Sequence, residues 1–157
     1  MLFGASPMQS QNGSYRRIGA QLFILKPRDY VVNLTHDGNA STSAVGTIAI
    51  DPASDFILTD RNVFDTTDPS TAAPGLIGQY ENFVSVQDSS NGYNWSNDFV
   101  PRSAFARDRT HGYRLPDEVL IASNTRLVVT IRNPVAAPAA GTSTITLQGY
   151  SLYPVQG

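Results

Sequence analysis

Few residues in this chain are of types and spacings that do chemistry. Histidine occurs twice, at His36 in an HDGN turn and at His111 in an Arg-rich stretch. The two lie in unlike loops, and neither has the short spacing that metal ligands require. Asp51 with Asp55, and Asp65 with Asp68, are close enough in sequence to pair in a loop. A glycosidase needs two carboxylates opposed across a cleft, whereas Asp beside Pro or Thr is the chemistry of turns. Asp37, Asn39 and Ser41 approximate a calcium-loop spacing, but the glycine is misplaced and no Glu closes the loop. There is no nucleophile elbow, phosphate loop or dinucleotide glycine motif. The expectation is a protein with no catalytic residues, no metal and no cofactor.

One stretch does combine charge with stacking. Within residues 97–114, the segment from Arg102 to Arg114 holds Arg102, Arg107, Arg109 and Arg114 against one carboxylate, Asp108, with the aromatics Phe99, Phe105 and Tyr113 interleaved along the stretch. Such a mixture suits single-stranded nucleic acid. A net charge of -2 gives little long-range attraction to it. Arg and aromatic side chains also carry much of the energy of protein interfaces. A protein contact at Arg102, Phe105, Arg107, Arg109 and Tyr113 is therefore the expectation. The ten Arg against one Lys, Lys26, point the same way. Trp95, the only tryptophan, is expected to fill a core. The alternative is that Trp95, Tyr93, Phe99 and Tyr113 stack on sugar rings.

The elements that must position these residues are strands. Between Leu115 and Tyr153 two alternating runs stand out. Leu127, Val129 and Ile131 share one face, with Arg126, Thr130 and Arg132 on the other. Ile145 and Leu147 alternate with Thr144, Thr146 and Gln148. The apolar phase then slips by one at Gly149, which suggests a β-bulge. The pair reads as a hairpin with a long loop through Asn133, Pro134 and Pro138. Upstream, 20–25, 30–35, 44–50, 55–60 and 80–88 read as strands. Lys26 to Asp29 is expected to be a turn, and Asn91-Gly92 a hairpin turn. Residues 61–79 and 97–114 are expected to be long connections. About eight short strands and no amphipathic helix predict an all-β antiparallel sandwich of jelly-roll type.

Length supports one such domain, from 15 to 157. Residues 1–14 are rich in Gly, Ser, Gln and Asn and are expected to form an extended arm. Its apolar Phe3 and Met8 are expected to pack on another chain. Cysteine is absent, which removes disulfides and thiolate metal sites. The chain has no run of eighteen apolar residues and no secretory signal at its start, so neither membrane insertion nor secretion is expected.

The run YRLPDEVLIASNTRLVVTIRNP followed by TITLQGYSLYP resembles the C-terminal half of small tailed-phage virion structural proteins. In that group a stretch with the pattern LP…I-x-[SA]-N-[ST]-x-L-x-V-x-[IL]-x-N precedes a strand ending in GY or GF. DFILTD at 55–60 and FVSVQDSSNGYNWSNDFVP at 83–101 fit the same order, so the resemblance spans roughly 45–154. It implies a structural protein that decorates or cements a capsid, made in the host cytoplasm and carried on the virion. Its partner would be the major capsid protein. Binding only to the assembled lattice would stabilise the shell by mass action. A homo-oligomer would add avidity, and a trimer would match local three-fold axes. A position on a tail or head vertex is the alternative.

Overall fold

The computed structural model describes residues 8–10, 13–37, 39, 41–67, 82–96, 98–106, 113–133 and 140–155. Among these residues ten strands follow in chain order: β1 (Met8–Ser10), β2 (Gly13–Ile18), β3 (Gln21–His36), β4 (Ser43–Ala49), β5 (Asp55–Thr67), β6 (Phe83–Asp88), β7 (Val100–Pro101), β8 (Tyr113–Ile121), β9 (Arg126–Arg132) and β10 (Gly141–Pro154). One helical turn, α1 (Arg102–Phe105), follows β7. The strands form two antiparallel sheets of order β1-β2-β3-β10-β5-β8 and β4-β9-β6-β7. From β3 to β6, and again from β7 to β10, consecutive strands alternate between the sheets in the jelly-roll manner, while β6 and β7 pair within one sheet. The expected all-β sandwich is the architecture observed, with β1 and β2 added as a hairpin beside β3.

The alternating residues make the core. Leu127, Val129, Ile131, Ile145 and Leu147 are fully buried, while Thr130, Thr144 and Thr146 keep part of their surface. Phe56, Leu58, Val63, Val84, Val86 and Ile48 close around them. Tyr30 packs edge-on against Phe56 with ring centres 4.9 Å apart. Its hydroxyl accepts the Asp51 N–H at 3.0 Å, so this buried phenol is not left unpaired.

Several sequence expectations change. β9 and β10 are not a hairpin, because they lie in different sheets. Alternation fixes which face is buried but not which strand is the neighbour, and two apolar faces meet equally well across a sandwich. β8 is a further strand before β9, paired with β5. Residues 61–67 continue β5 alongside β10 rather than opening a connection. Lys26 to Asp29 is no turn: β3 runs straight through, each residue opposite one of β10. β2 ends its pairing at Leu25, so Pro27 lies where β3 has a neighbour on one side only, and there Pro is tolerated. His36 ends β3 and is buried, not placed in a turn. Gly92 takes φ +71° at the Asn91-Gly92 turn, but the return is a single bridge, Gln87 to Asn94. Residues 8–10 and 13–14, assigned to the arm, pair within the chain, Met8 opposite Tyr15. An unpaired strand edge recruits backbone whatever its side chains.

At Gly149 the irregularity belongs mainly to β5. Leu58 faces Gly149 and Asp60 faces Gln148, leaving Thr59 as the extra residue. Pairing of β10 with β3 stays continuous across the same point. β10 therefore keeps its phase, and Ser151 takes the inward position. Leu152 points outward into a second, small apolar cluster with Leu25 and Ile57. On β5 the bulge exchanges the faces, so that Phe56 and Leu58 before it and Val63 after it all reach the core. A Cβ on Gly149 would overlap the carbonyl oxygen of Ile57 and lie 3.0 Å from Phe56 Cζ.

Gly149→Ala is expected to cost more than about 4 kcal/mol or to prevent folding, since the obstacle is backbone. Ile131→Ala, which only leaves a cavity, is expected to cost about 2–5 kcal/mol. Urea unfolding checks both; a Gly149→Ala midpoint close to that of the parent would show that the two strands do not need this approach.

Candidate functional site

The β5 bulge also shapes the outer surface. Opposite Thr59, β8 leaves the ladder: Leu58 pairs with Val119 and Asp60 with Arg114, so residues 115–118 have no partner on β5. Pro116 suits such a detour because it has no N–H to donate. The six-stranded sheet is curled enough for its two sides to meet. Arg16 of β2 is hydrogen-bonded and ion-paired to Glu118 of β8, although three strands separate β2 from β8 in the sheet. Beneath this bridge lies a cleft of about 430 Å³. Leu25 and Tyr150 give it apolar surface, Ser14 and Thr59 hydroxyls, and Asp60 and Arg114 charges of opposite sign. Such a cleft can hydrogen-bond a polar, uncharged ring laid on a partly apolar surface.

The Arg–aromatic stretch is arranged differently from its expectation. Phe105 is 2 % exposed and belongs to the core, so it offers no contact surface to a partner. Arg61 of β5 lies over Phe105 and Tyr113, 4.4 and 5.0 Å from their ring centres. Its Nη2 donates to the Ala104 carbonyl at 3.4 Å. Arg132 of β9 lies over Phe99 and Phe83, at 4.1 and 5.8 Å. The aromatics of the stretch are thus covered by arginines from both sheets, within the range of cation–π attraction. Tyr113 is half-buried at the start of β8. Arg102 is half-buried in α1, and its backbone N–H donates to the Asn82 carbonyl at 2.9 Å. Trp95 is half-buried against the core and helps line a small cavity of about 90 Å³ beside Arg61. Arg107, Arg109 and Phe3 lie outside the described residues, and Met8 is described by its backbone alone.

Burial lowers the pKa of Arg61, yet an arginine stays charged at any working pH. Arg61 and Arg132 were missed in the sequence for different reasons. Arg132 has no local signal, because its ring partners come from other strands. Arg61 had one: after the bulge it shares its face with Val63, a position that only a strand reading of 61–67 exposes.

A third surface is the outer side of β5, β10 and β3. Its cross-strand rows are Asn62, Thr146 and Val31, then Phe64, Thr144 and Asn33. Thr142 and Thr35 continue it. None of these side chains is charged. Val31 and Phe64 are about half exposed, at 54 and 48 %. The Thr144 hydroxyl donates to Asn33 Oδ1 at 2.7 Å.

The loop from β3 to β4 is held at this end. Asn39 N–H, the Thr42 hydroxyl and the Asn39 amide donate to Asp37 at 3.0, 2.8 and 2.9 Å. Buried Asn133, just after β9, donates to the Asn39 carbonyl at 2.9 Å. These donors, the Asn39 backbone first, hold the Asp37 carboxyl down from the ordinary 3.8 to about 2. A carboxyl lowered in the fold adds stability above its unfolded value and loses it as pH falls through the folded one.

Arg61→Ala is expected to lower stability by about 1–3 kcal/mol through lost stacking and packing. Arg61→Lys should recover only part, because an ammonium does not stack as a planar guanidinium does. Full recovery in urea unfolding would mean that charge alone matters. An NMR titration of Asp37 is expected to turn at pH about 2; a midpoint near the unfolded value would show that the turn does not hold the carboxylate.

No protein-family model, no curated protein and no solved structure matches this chain, so its function has to be read from its own residues.

Proposed function

We propose that this chain is a non-enzymatic structural protein of a tailed-phage virion, which decorates the capsid by binding across neighbouring subunits of the major capsid protein. The observation that supports this most is the run of uncharged rows on the outer face of β5, β10 and β3, from Asn62, Thr146 and Val31 to Phe64, Thr144 and Asn33, with Val31 and Phe64 exposed on it. Depletion of charge marks the buried core of protein interfaces. A face built on three paired strands also presents its side chains without ordering a loop on binding, which limits the entropic cost. The similarity of 45–154 to phage virion proteins supplies the kind of partner. A protein bound only to the closed shell stabilises it against outward pressure by mass action. A tail or head-vertex position would use the same face on another partner.

The cleft under Arg16 and Glu118 favours a second reading, a jelly-roll carbohydrate-binding module. Its size falls in the range of small-ligand pockets, roughly 300–1,000 Å³, and it mixes apolar surface with hydroxyls and charges.

Co-sedimentation with purified shells tests the first reading. The parent chain is expected to bind shells but not tails, and Phe64→Ala with Thr144→Lys to bind at least ten-fold more weakly. Binding through the uncharged face should change little between low and high salt, whereas a contact through the Arg-rich stretch would weaken as screening shortens to ~3 Å at 1 M. Absence of shell binding, with a saturable glycan-induced shift of the cleft resonances, would give the second reading instead.

A further inference from the structure

Every open strand edge in a β-sandwich is a template for another strand, and proteins block the edges that must stay free. The edges of this fold differ in that respect. β1 has three residues, and β7 has two, the second being Pro101. β8 carries Pro116, Asp117 and Glu118 and leaves its ladder there. The lower half of β3, beyond the end of β2, carries Lys26, Pro27, Arg28 and Asp29, all exposed. The upper half of β3 packs against β4.

Among the described edge strands, β4 is the one longer than three residues that carries neither charge nor proline along its whole length. It is seven residues long, Ser-Ala-Val-Gly-Thr-Ile-Ala, and its ladder runs without a bulge along β9 on one side. It has no charge and no proline. Its outward side chains, Ser43, Val45, Thr47 and Ala49, are exposed, Val45 at 62 %. At Gly46 a Cβ would lie 2.5 Å from Leu34 Cδ2 and 2.7 Å from Val32 Cγ2, so β3 presses on its inner side and keeps the strand flat against the core.

We propose that β4 pairs with β4 of a second copy, antiparallel about a two-fold axis through Gly46, joining two four-stranded sheets into one of eight. Full overlap puts Ser43 opposite Ala49 and Val45 opposite Thr47 of the second copy. All four outward side chains then stay on one face, and each β-branched Val meets a β-branched Thr, a favourable cross-strand pair. Absence of charge is what self-pairing demands, since a strand that meets its own copy brings like charges together. A two-fold contact also closes on itself and leaves no edge open for further growth. The inference does not depend on the virion reading, because it concerns the free protein in solution.

Light scattering on the purified chain is expected to give twice the chain mass. Val45→Lys with Thr47→Lys, which sets lysines directly opposite one another, should halve that mass with the circular dichroism unchanged. The chain has no cysteine, so engineered ones report without interference. A mixture of Val45→Cys and Thr47→Cys chains should oxidise to a linked dimer, since opposed residues in an antiparallel pair lie about 4.5–5.5 Å apart, within reach of a disulfide. It should do so at least ten-fold faster than Val119→Cys chains, whose valine is also exposed. A monomer or a trimer of the parent chain would overturn the proposal. So would cross-linking no faster than the Val119→Cys control, a readout that stands even if the lysine variant fails to fold.

Discussion

At Gly149 the backbone of β10 lies so close to the Ile57 carbonyl that no side chain fits between them, and much of the sandwich follows from that approach. β10 is the long central strand of its sheet, paired with β3 on one side and β5 on the other. It keeps register with β3 throughout, so the irregularity falls on β5, which inserts Thr59. The Thr59 hydroxyl donates to the Gln148 carbonyl at 3.2 Å and helps satisfy the disturbed ladder. Two results come from one extra residue. The apolar residues on either side of the bulge both face the core, and β8 is pushed out of its ladder opposite the same point. The cleft beneath Arg16 and Glu118 sits over this irregularity. Bulges recur next to functional surfaces because they re-aim side chains without breaking the sheet.

Arginine plays a different part from the one its abundance suggests. Arg61 and Arg132 spend their planar faces inside the molecule, over Phe105, Tyr113, Phe99 and Phe83. They tie the irregular stretch between β6 and β8 to both sheets, where Lys would offer a point charge and no stacking plane. Arg16 closes the curl of the larger sheet through Glu118. Beside the exposed charges, two uncharged surfaces remain: the Thr and Asn rows of β5, β10 and β3, and the edge of β4. An interface of that kind is favoured by shape and desolvation rather than by steering.

Two asparagines at the ends of β9 hold the scaffold. Asn124 takes φ +62° in the turn between β8 and β9, and the neighbouring Ser123 N–H donates to Asp55 at 2.7 Å. Asn133 anchors the loop between β3 and β4 through Asn39 and Thr42. Both are small amide side chains at places where the chain changes sheet, a demand of the fold rather than of a partner.

The alternation of Leu127, Val129 and Ile131, and of Ile145 and Leu147, was enough to name the buried faces, because side-chain direction in a strand depends only on parity. The all-β class and the irregularity at Gly149 were legible for the same reason: each is a property of a few neighbouring residues. Pairing was not legible. Nothing local tells β9 and β10 that they belong to opposite sheets, or lets β3 run through Lys26 to Asp29, because both depend on strands distant in the sequence: β4 and β6 for β9, and β10 for β3. The candidate surfaces fall on the same side of that line. Arg61 meets Phe105 and Arg16 meets Glu118 only after the sheets have curled and closed, so composition could predict contacts for arginine and aromatics but not whether the partner was another protein or the chain itself. Parity is a local property of the backbone, whereas strand order is decided by the packing of the whole core.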